Sequence, residues 1–149
     1  MVVVAEYIWL DSNFKFRSKA RTLDDNEKPP LWSYDGSSTG QAPITNSDII
    51  LKPCSVFKCP FRGGDNILVW CETWTPAGSY TPENTRHAAE ELFKKHLEKE
   101  PWFGLEQEYY LYDKELLQPL GYVKHGQVGS HYCGIGKTYG RDIAEEHYQ

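Results

Sequence analysis

Hydrophobic and polar positions divide the chain into a β-rich first half and a mixed second half. Val2–Leu10 is dense in β-branched and aromatic residues, which suit a pleated, half-buried surface, and predicts a strand. Asp11-Ser12-Asn13 supplies turn residues. Phe14-Lys15-Phe16-Arg17 alternates apolar with basic, so a second strand and a hairpin follow. Residues 24–30 are polar and end in paired prolines, and 34–46 are full of Gly, Ser and Thr; both read as loops. Residues 49–52 read as a short strand stopped by Pro53, because proline cannot donate to a ladder. After a turn at Arg62-Gly63-Gly64-Asp65, residues 66–73 read as a buried strand.

A Pro-, Ala-, Gly- and Ser-rich stretch at 75–80 places an expected domain boundary there, dividing the chain into 1–78 and 79–149. Thr81-Pro82-Glu83 has the form of a helix start: a threonine cap, proline at the first helical position, and an acid at the positive end of the dipole. Ala88/Ala89, Leu92/Phe93 and His96/Leu97 recur every four residues and make one apolar stripe. Lys94, Lys95 and Lys99 suit the closing turns, and Pro101 ends the helix. Residues 103–112 then read as a strand, 118–138 as an irregular glycine-rich stretch, and 139–149 as a helix. The fold class this order predicts is α+β.

Composition narrows the function classes. The chain has 149 residues, 40% hydrophobic and 25% charged, as expected of a soluble globular protein. A net charge of −5 argues against a general nucleic-acid binder. No run approaches the roughly 20 apolar residues of a membrane helix. Residues 1–5 lack the basic flank and length of a signal peptide. These points predict a cytoplasmic protein with neither nucleic acid nor membrane as partner. Cys54, Cys59, Cys71 and Cys133 form no C-x-x-C pair and read as reduced thiols. The five histidines contain no i, i+4 metal pair. Aromatics are abundant, with ten Tyr, six Phe and five Trp against one Met, and need a dense core or a partner surface.

Four segments carry candidate chemistry. In the expected strand 103–112, Glu106 and Glu108 project from one face, with Leu105, Tyr109 and Leu111 on the other. Two such carboxylates, roughly 7 Å apart, repel unless a divalent cation sits between them, and their oxygens suit Mg²⁺ or Mn²⁺. The alternative is a solvated polar strand face. In Trp32-Ser33-Tyr34-Asp35-Gly36-Ser37-Ser38-Thr39-Gly40, Asp35 can accept a proton or hold a cation and Ser38 can donate a hydrogen bond. An Asp-Gly turn with Ser/Thr capping is the alternative there. Gly134-Ile135-Gly136-Lys137-Thr138 fails as a phosphate-binding loop, because His131 stands where the first glycine belongs. Lys15, Arg17, Lys19 and Arg21 read as a solvated strand face.

Several of these segments together resemble one family. Ala5-Glu6-Tyr7-Ile8-Trp9-Leu10-Asp11, the run LWSYDGSSTGQAP at 31–43, and Asp48-Ile49-Ile50-Leu51-Lys52-Pro53 look like the N-terminal part of eukaryotic-type glutamine synthetases. Trp102-Phe103-Gly104-Leu105-Glu106-Gln107-Glu108-Tyr109 resembles that family's metal-binding strand, and 132–136 and 139–148 resemble the segments that follow it. The resemblance implies a β-grasp domain over 1–78 and the beginning of a catalytic α/β domain over 79–149. It implies ATP-dependent joining of glutamate and ammonia through γ-glutamyl phosphate. By the same resemblance, Glu106 and Glu108 are ligands of Mg²⁺ or Mn²⁺, Asp35 binds ammonium and removes its proton with Ser38 beside it, and Trp102 lies near the nucleotide. That loop would serve a neighbouring subunit, making a homo-oligomeric ring. The sequence departs at Ser130 and His131, where the family usually has proline and tyrosine, and 113–128 is shorter than expected.

Family members run to more than twice this length. The expectation is therefore a truncated chain, inactive alone, with the remaining metal ligands and most of the ATP site lying in segments it does not carry. The alternative is a non-catalytic module that co-assembles with full-length rings.

Overall fold

A computed structural model describes residues 1–123, 126–127 and 139–148. The chain forms two compact units, Met1–Pro101 and Trp102–Gln149. This grouping by packing keeps the helix after residue 84 with the preceding sheet, whereas composition places the expected domain boundary at 78/79.

The first unit is built on β1 (Val2–Leu10), β2 (Phe16–Asp24), β3 (Trp32–Asp35), β4 (Asp48–Lys58) and β5 (Ile67–Trp74). They form one mixed sheet in the order β2-β1-β5-β4-β3. β1 and β5 run parallel, with Ala5 opposite Ile67 and Ile8 opposite Trp70; the other pairs are antiparallel. The expected hairpin is present as β1–β2. Its turn closes because Asp11 Oδ1 accepts from the amides of Asn13 (2.8 Å) and Lys15 (3.1 Å).

Alternation along β1 buries Val3, Ala5, Tyr7 and Trp9 on one face. Leu23, Tyr34, Ile49, Leu51, Val69 and Cys71 join them in the core. Tyr7 meets Trp32 edge-on at 5.2 Å, and Trp9 meets Tyr34 at 4.3 Å. The Tyr7 hydroxyl donates to Pro30 O (2.9 Å), and burial pushes its pKa up to about 12. Tyr7, Trp9, Tyr34 and the partly buried Trp32 thus carry the aromatic part of the core, whereas Phe57, Phe61, Trp102, Phe103 and Tyr110 are among the many rings left exposed.

Three sequence expectations change here. β4 does not stop at Pro53 but runs on to Lys58, with a bulge between Pro53 and Ser55. β3 pairs only with Asp48–Leu51, so past that point β4 has an open side on which proline's missing N–H breaks no ladder bond. Tyr34 and Asp35 belong to β3 rather than to a loop. The helix α1 spans Thr85–Lys94 and is capped by Asn84, whose side chain accepts from His87 N (3.3 Å). Thr81 instead docks on β5, its hydroxyl 2.6 Å from that of Thr73. The stripe outlasts the helix, since Leu97 begins a separate 3-10 turn, and no α1 residue is buried.

The second unit contains two short ladders, β6 (Tyr112–Asp113) with β7 (Gln118–Pro119) and β8 (Tyr122–Val123) with β9 (Gly126–Gln127), and the helix α2 (Arg141–Tyr148). The expected strand 103–112 is present only at its last residue. Residues 101–111 have no regular structure and 101–110 are exposed; a strand needs a neighbour to take up its backbone donors and acceptors. Tyr109 and Leu111 nonetheless touch the α2 region: the Tyr109 hydroxyl lies 3.2 Å from His147 Nδ1. A Cβ at Gly140, which sits at φ 70°, would run into Leu111. The 134–138 loop, Cys133, and the departures at Ser130 and His131 fall outside the described residues.

Candidate functional site: the Asp35 loop and the exposed carboxylates

Asp35 closes β3, and its side chain caps the 3-10 turn Gly36–Thr39. Oδ1 accepts from both the Ser37 amide (2.9 Å) and the Ser37 hydroxyl (2.6 Å). These two bonds, with a smaller pull from the Ser47 hydroxyl, hold the Asp35 carboxyl below its ordinary range despite an opposing effect of burial. Ser38 Oγ donates to Asp35 O (2.9 Å). Asp35 and Ser38 are thus brought together, both facing solvent.

The loop behind them is anchored to the sheet. Gly36 is buried, donates to Ser47 O (2.6 Å), and has no room for a side chain: a Cβ would lie 2.5 Å from Ile49 Cγ1. Gly40 ends the turn at φ 73°, a left-handed conformation that glycine adopts without strain. Gln41 Oε1 accepts from the Tyr34 hydroxyl (2.5 Å), while its Nε2 donates to Leu10 O (3.0 Å) and Glu83 Oε2 (3.2 Å). Ser12 N donates to Thr39 O (3.2 Å), tying the loop to the hairpin turn.

A cavity of about 340 Å³ opens beside the loop, lined by Trp9, Arg17, Ser18, Lys19, Tyr34, Asp35, Ser38 and Thr39. Sequence alone did not place the basic row here. Arg17, Lys19 and Arg21 stand opposite Trp9, Tyr7 and Ala5, so they share the sheet's core-facing side rather than forming a freely solvated face. Lys19 Nζ donates to Ser33 O (2.8 Å) and sits 3.7 Å from the centre of the Trp32 ring. Burial, then the charge of Arg21, lowers its pKa. Arg21 also stacks on Trp32, at 5.2 Å. Arg17 Nε donates to the buried Asp11 Oδ2 (2.8 Å). Lys15 is exposed, as expected.

Trp102, Glu106 and Glu108 belong to the second unit, and all three are exposed, Trp102 at 95%. Gln107 Nε2 donates to Glu108 O (3.0 Å). Two exposed carboxylates offer the hard oxygen donors that Mg²⁺ or Mn²⁺ prefers, but fewer than the six or so such an ion takes. The residues fit the ion in donor chemistry and need further ligands to complete a shell.

Among the described residues, one cluster of possible metal ligands comes together that the sequence did not suggest: Glu72, His87 and Glu90, with donor atoms within 4.8 Å of one another. The Arg86 guanidinium already lies between its carboxylates, 3.3 Å from Glu72 Oε1 and 3.5 Å from Glu90 Oε2. Trp74 Nε1 donates to Glu72 Oε2 (3.0 Å). This is a satisfied ion-pair network joining α1 to β5. Among the described residues no helix is long and apolar enough to cross a membrane, and Cys54, Cys59 and Cys71 are free thiols.

Residues 1–76 match the family model described as glutamine synthetase, beta-Grasp domain. The chain is 50% identical to a glutamine synthetase nodule isozyme of Lupinus luteus over 99% of its own length and 45% of the relative's. It is 50% identical to the glutamine synthetase cytosolic isozyme 1-1 of Oryza sativa subsp. japonica, again covering 45% of that protein. A chloroplastic/mitochondrial glutamine synthetase of Arabidopsis thaliana is 49% identical, with 37% of its length covered. The chain therefore spans less than half the length of these relatives.

Proposed function

The chain belongs to the glutamine synthetase family, and from that premise we propose that it forms part of an ATP-dependent glutamate–ammonia ligase. Residues 1–78 would be the β-grasp domain and 79–149 the opening of the catalytic domain. ATP phosphorylates the γ-carboxyl of glutamate, and ammonia then displaces phosphate to give glutamine. In this reading Asp35 binds ammonium electrostatically and takes its proton, with Ser38 beside it, in the active site of a neighbouring copy within a cytoplasmic ring. The observation that supports it is the build of the loop. Gly36 and Gln41 lock it to the core while its ionised carboxylate faces outward, a form suited to acting on another molecule.

Glu106 and Glu108 would donate to a Mg²⁺ or Mn²⁺ ion completed by ligands from elsewhere, and Trp102 would lie beside ATP. When bound, the ion neutralises charge on the transferring phosphoryl group. The purified chain alone is expected to make no glutamine. Mixed with a full-length family member whose own loop aspartate has been replaced, the wild-type chain should restore glutamine formation and Asp35→Asn should not. Equal restoration by both would overturn this role for Asp35.

A second reading takes the chain as a non-catalytic module that joins rings of a full-length enzyme. The contrast between an ordered Asp35 loop and an exposed, incomplete carboxylate pair favours it. Native mass spectrometry of the mixture decides: absence of mixed rings would sink it.

A further inference from the structure

The sequence points to Asp35 and Ser38; Ser37, one of the two residues between them, makes the more direct contact with the carboxylate. Ser38 reaches only the main-chain oxygen of Asp35, whereas Ser37 places both its amide and its hydroxyl on Oδ1. A carboxylate gripped by two donors through one oxygen is fixed in rotamer and favoured in its charged form. We propose that Ser37 is a positioning residue for Asp35, holding its carboxylate in one orientation for a cationic substrate such as ammonium. This rests on the ammonium-binding part of the role proposed for Asp35 above and adds a cause for it.

The chemistry has a direction. Donors that stabilise the anion also weaken it as a base, so Ser37 favours Asp35 as a receptor for positive charge over Asp35 as a strong proton acceptor. The lowered Asp35 pKa agrees with this. Other charges around the carboxylate do not replace Ser37. Arg17 and Lys19 of β2 line the same cavity, but Arg17 is engaged by Asp11, and Lys19 by Ser33 O and the Trp32 ring. Asp48 of β4 stands opposite Asp35 in the register and is exposed, so it brings no donor to the carboxylate. Ser47 gives the weaker hydroxyl contribution.

The test is a ¹³C NMR titration of the Asp35 carboxyl in the full chain, with Hα–Hβ couplings to report its rotamer. Wild type should titrate below the ordinary aspartate value, in one rotamer. Ser37→Ala, which keeps the amide and loses the hydroxyl, should move the midpoint up and average the couplings. Ser37→Thr, which keeps both donors, should behave as wild type, and Ser47→Ala should move the midpoint less than Ser37→Ala. An unmoved midpoint in Ser37→Ala overturns the inference. A midpoint in Ser37→Thr shifted as far as in Ser37→Ala overturns it too, which guards against a mere folding defect. In the mixed-ring assay, Ser37→Ala should raise KM for ammonium about three- to tenfold, leaving KM for glutamate in place. Failure of Asp35→Asn to abolish restoration strikes the functional reading and leaves the titration result standing.

Discussion

Asp11 is wholly buried at the end of β1, and Arg17, six residues on across the hairpin turn, donates Nε to its Oδ2 at 2.8 Å. The same carboxylate takes two turn amides on its other oxygen, so all its contacts favour the charged form. Arg17 foremost, then the Lys15 amide, holds its pKa below the ordinary 3.8. A carboxyl that releases its proton more readily folded than unfolded adds stability above the unfolded value. That stability fades as pH falls through this value toward the folded one. Urea midpoints should therefore fall below about pH 4. Arg17→Ala should lower the midpoint at pH 7 and flatten the acid limb, and an unchanged acid limb would contradict the pair's role.

Leu51 is fully buried at the centre of the core. Leu51→Ala should destabilise the first unit by about 2–5 kcal/mol, through lost burial and the cavity left behind. Phe61 is 88% exposed, so Phe61→Ala should stay within about 0.5 kcal/mol of wild type. Denaturant unfolding followed by tryptophan fluorescence measures both.

Gly36→Ala places a methyl against Ile49 Cγ1, Ala42 Cβ (3.1 Å) and Ser47 O (3.2 Å). Overpacking of this kind costs about 1–3 kcal/mol. It should also shift the Asp35 carboxyl resonance, since the loop must move to admit the methyl. A stable variant with an unmoved resonance would show the loop to be looser than these distances.

Asn84 and Thr81 separate helix capping from strand docking. Asn84→Ala loses the bond to His87 N and the Nδ2 donor to Thr73 O (3.2 Å), and should cost about 0.5–2 kcal/mol with a fall in helical circular dichroism. Thr81→Val strands the Thr73 hydroxyl without its 2.6 Å partner and should lower stability with helix content unchanged. Loss of helix signal in Thr81→Val would restore threonine as the cap.

Metal binding by the chain alone should be weak. With two carboxylates and water as ligands, Mn²⁺ should bind no tighter than about 1 mM, and Glu106→Gln with Glu108→Gln should abolish what binding there is. Electron paramagnetic resonance of free Mn²⁺ reads this directly. Micromolar binding that survives both substitutions would point to a different site.

Sequence by itself determined the elements whose signal is local. Alternation and β-branched residues mark β1 and β5, turn residues mark the hairpin and Gly63-Gly64, and the long family motifs mark the β-grasp region and Asp35. What failed was decided by partners far along the chain. Pro53 does not end β4, because β3 leaves that side of the strand open. Thr81 looks like a cap, but the Thr73 hydroxyl claims it. Residues 103–110 alternate well but, among the described residues, find no neighbouring strand. The basic row of β2 reads as solvated until pairing with β1 turns it toward Trp32 and Asp11. Local pattern states what a segment can be; only tertiary structure supplies the neighbours that satisfy its backbone and its charges.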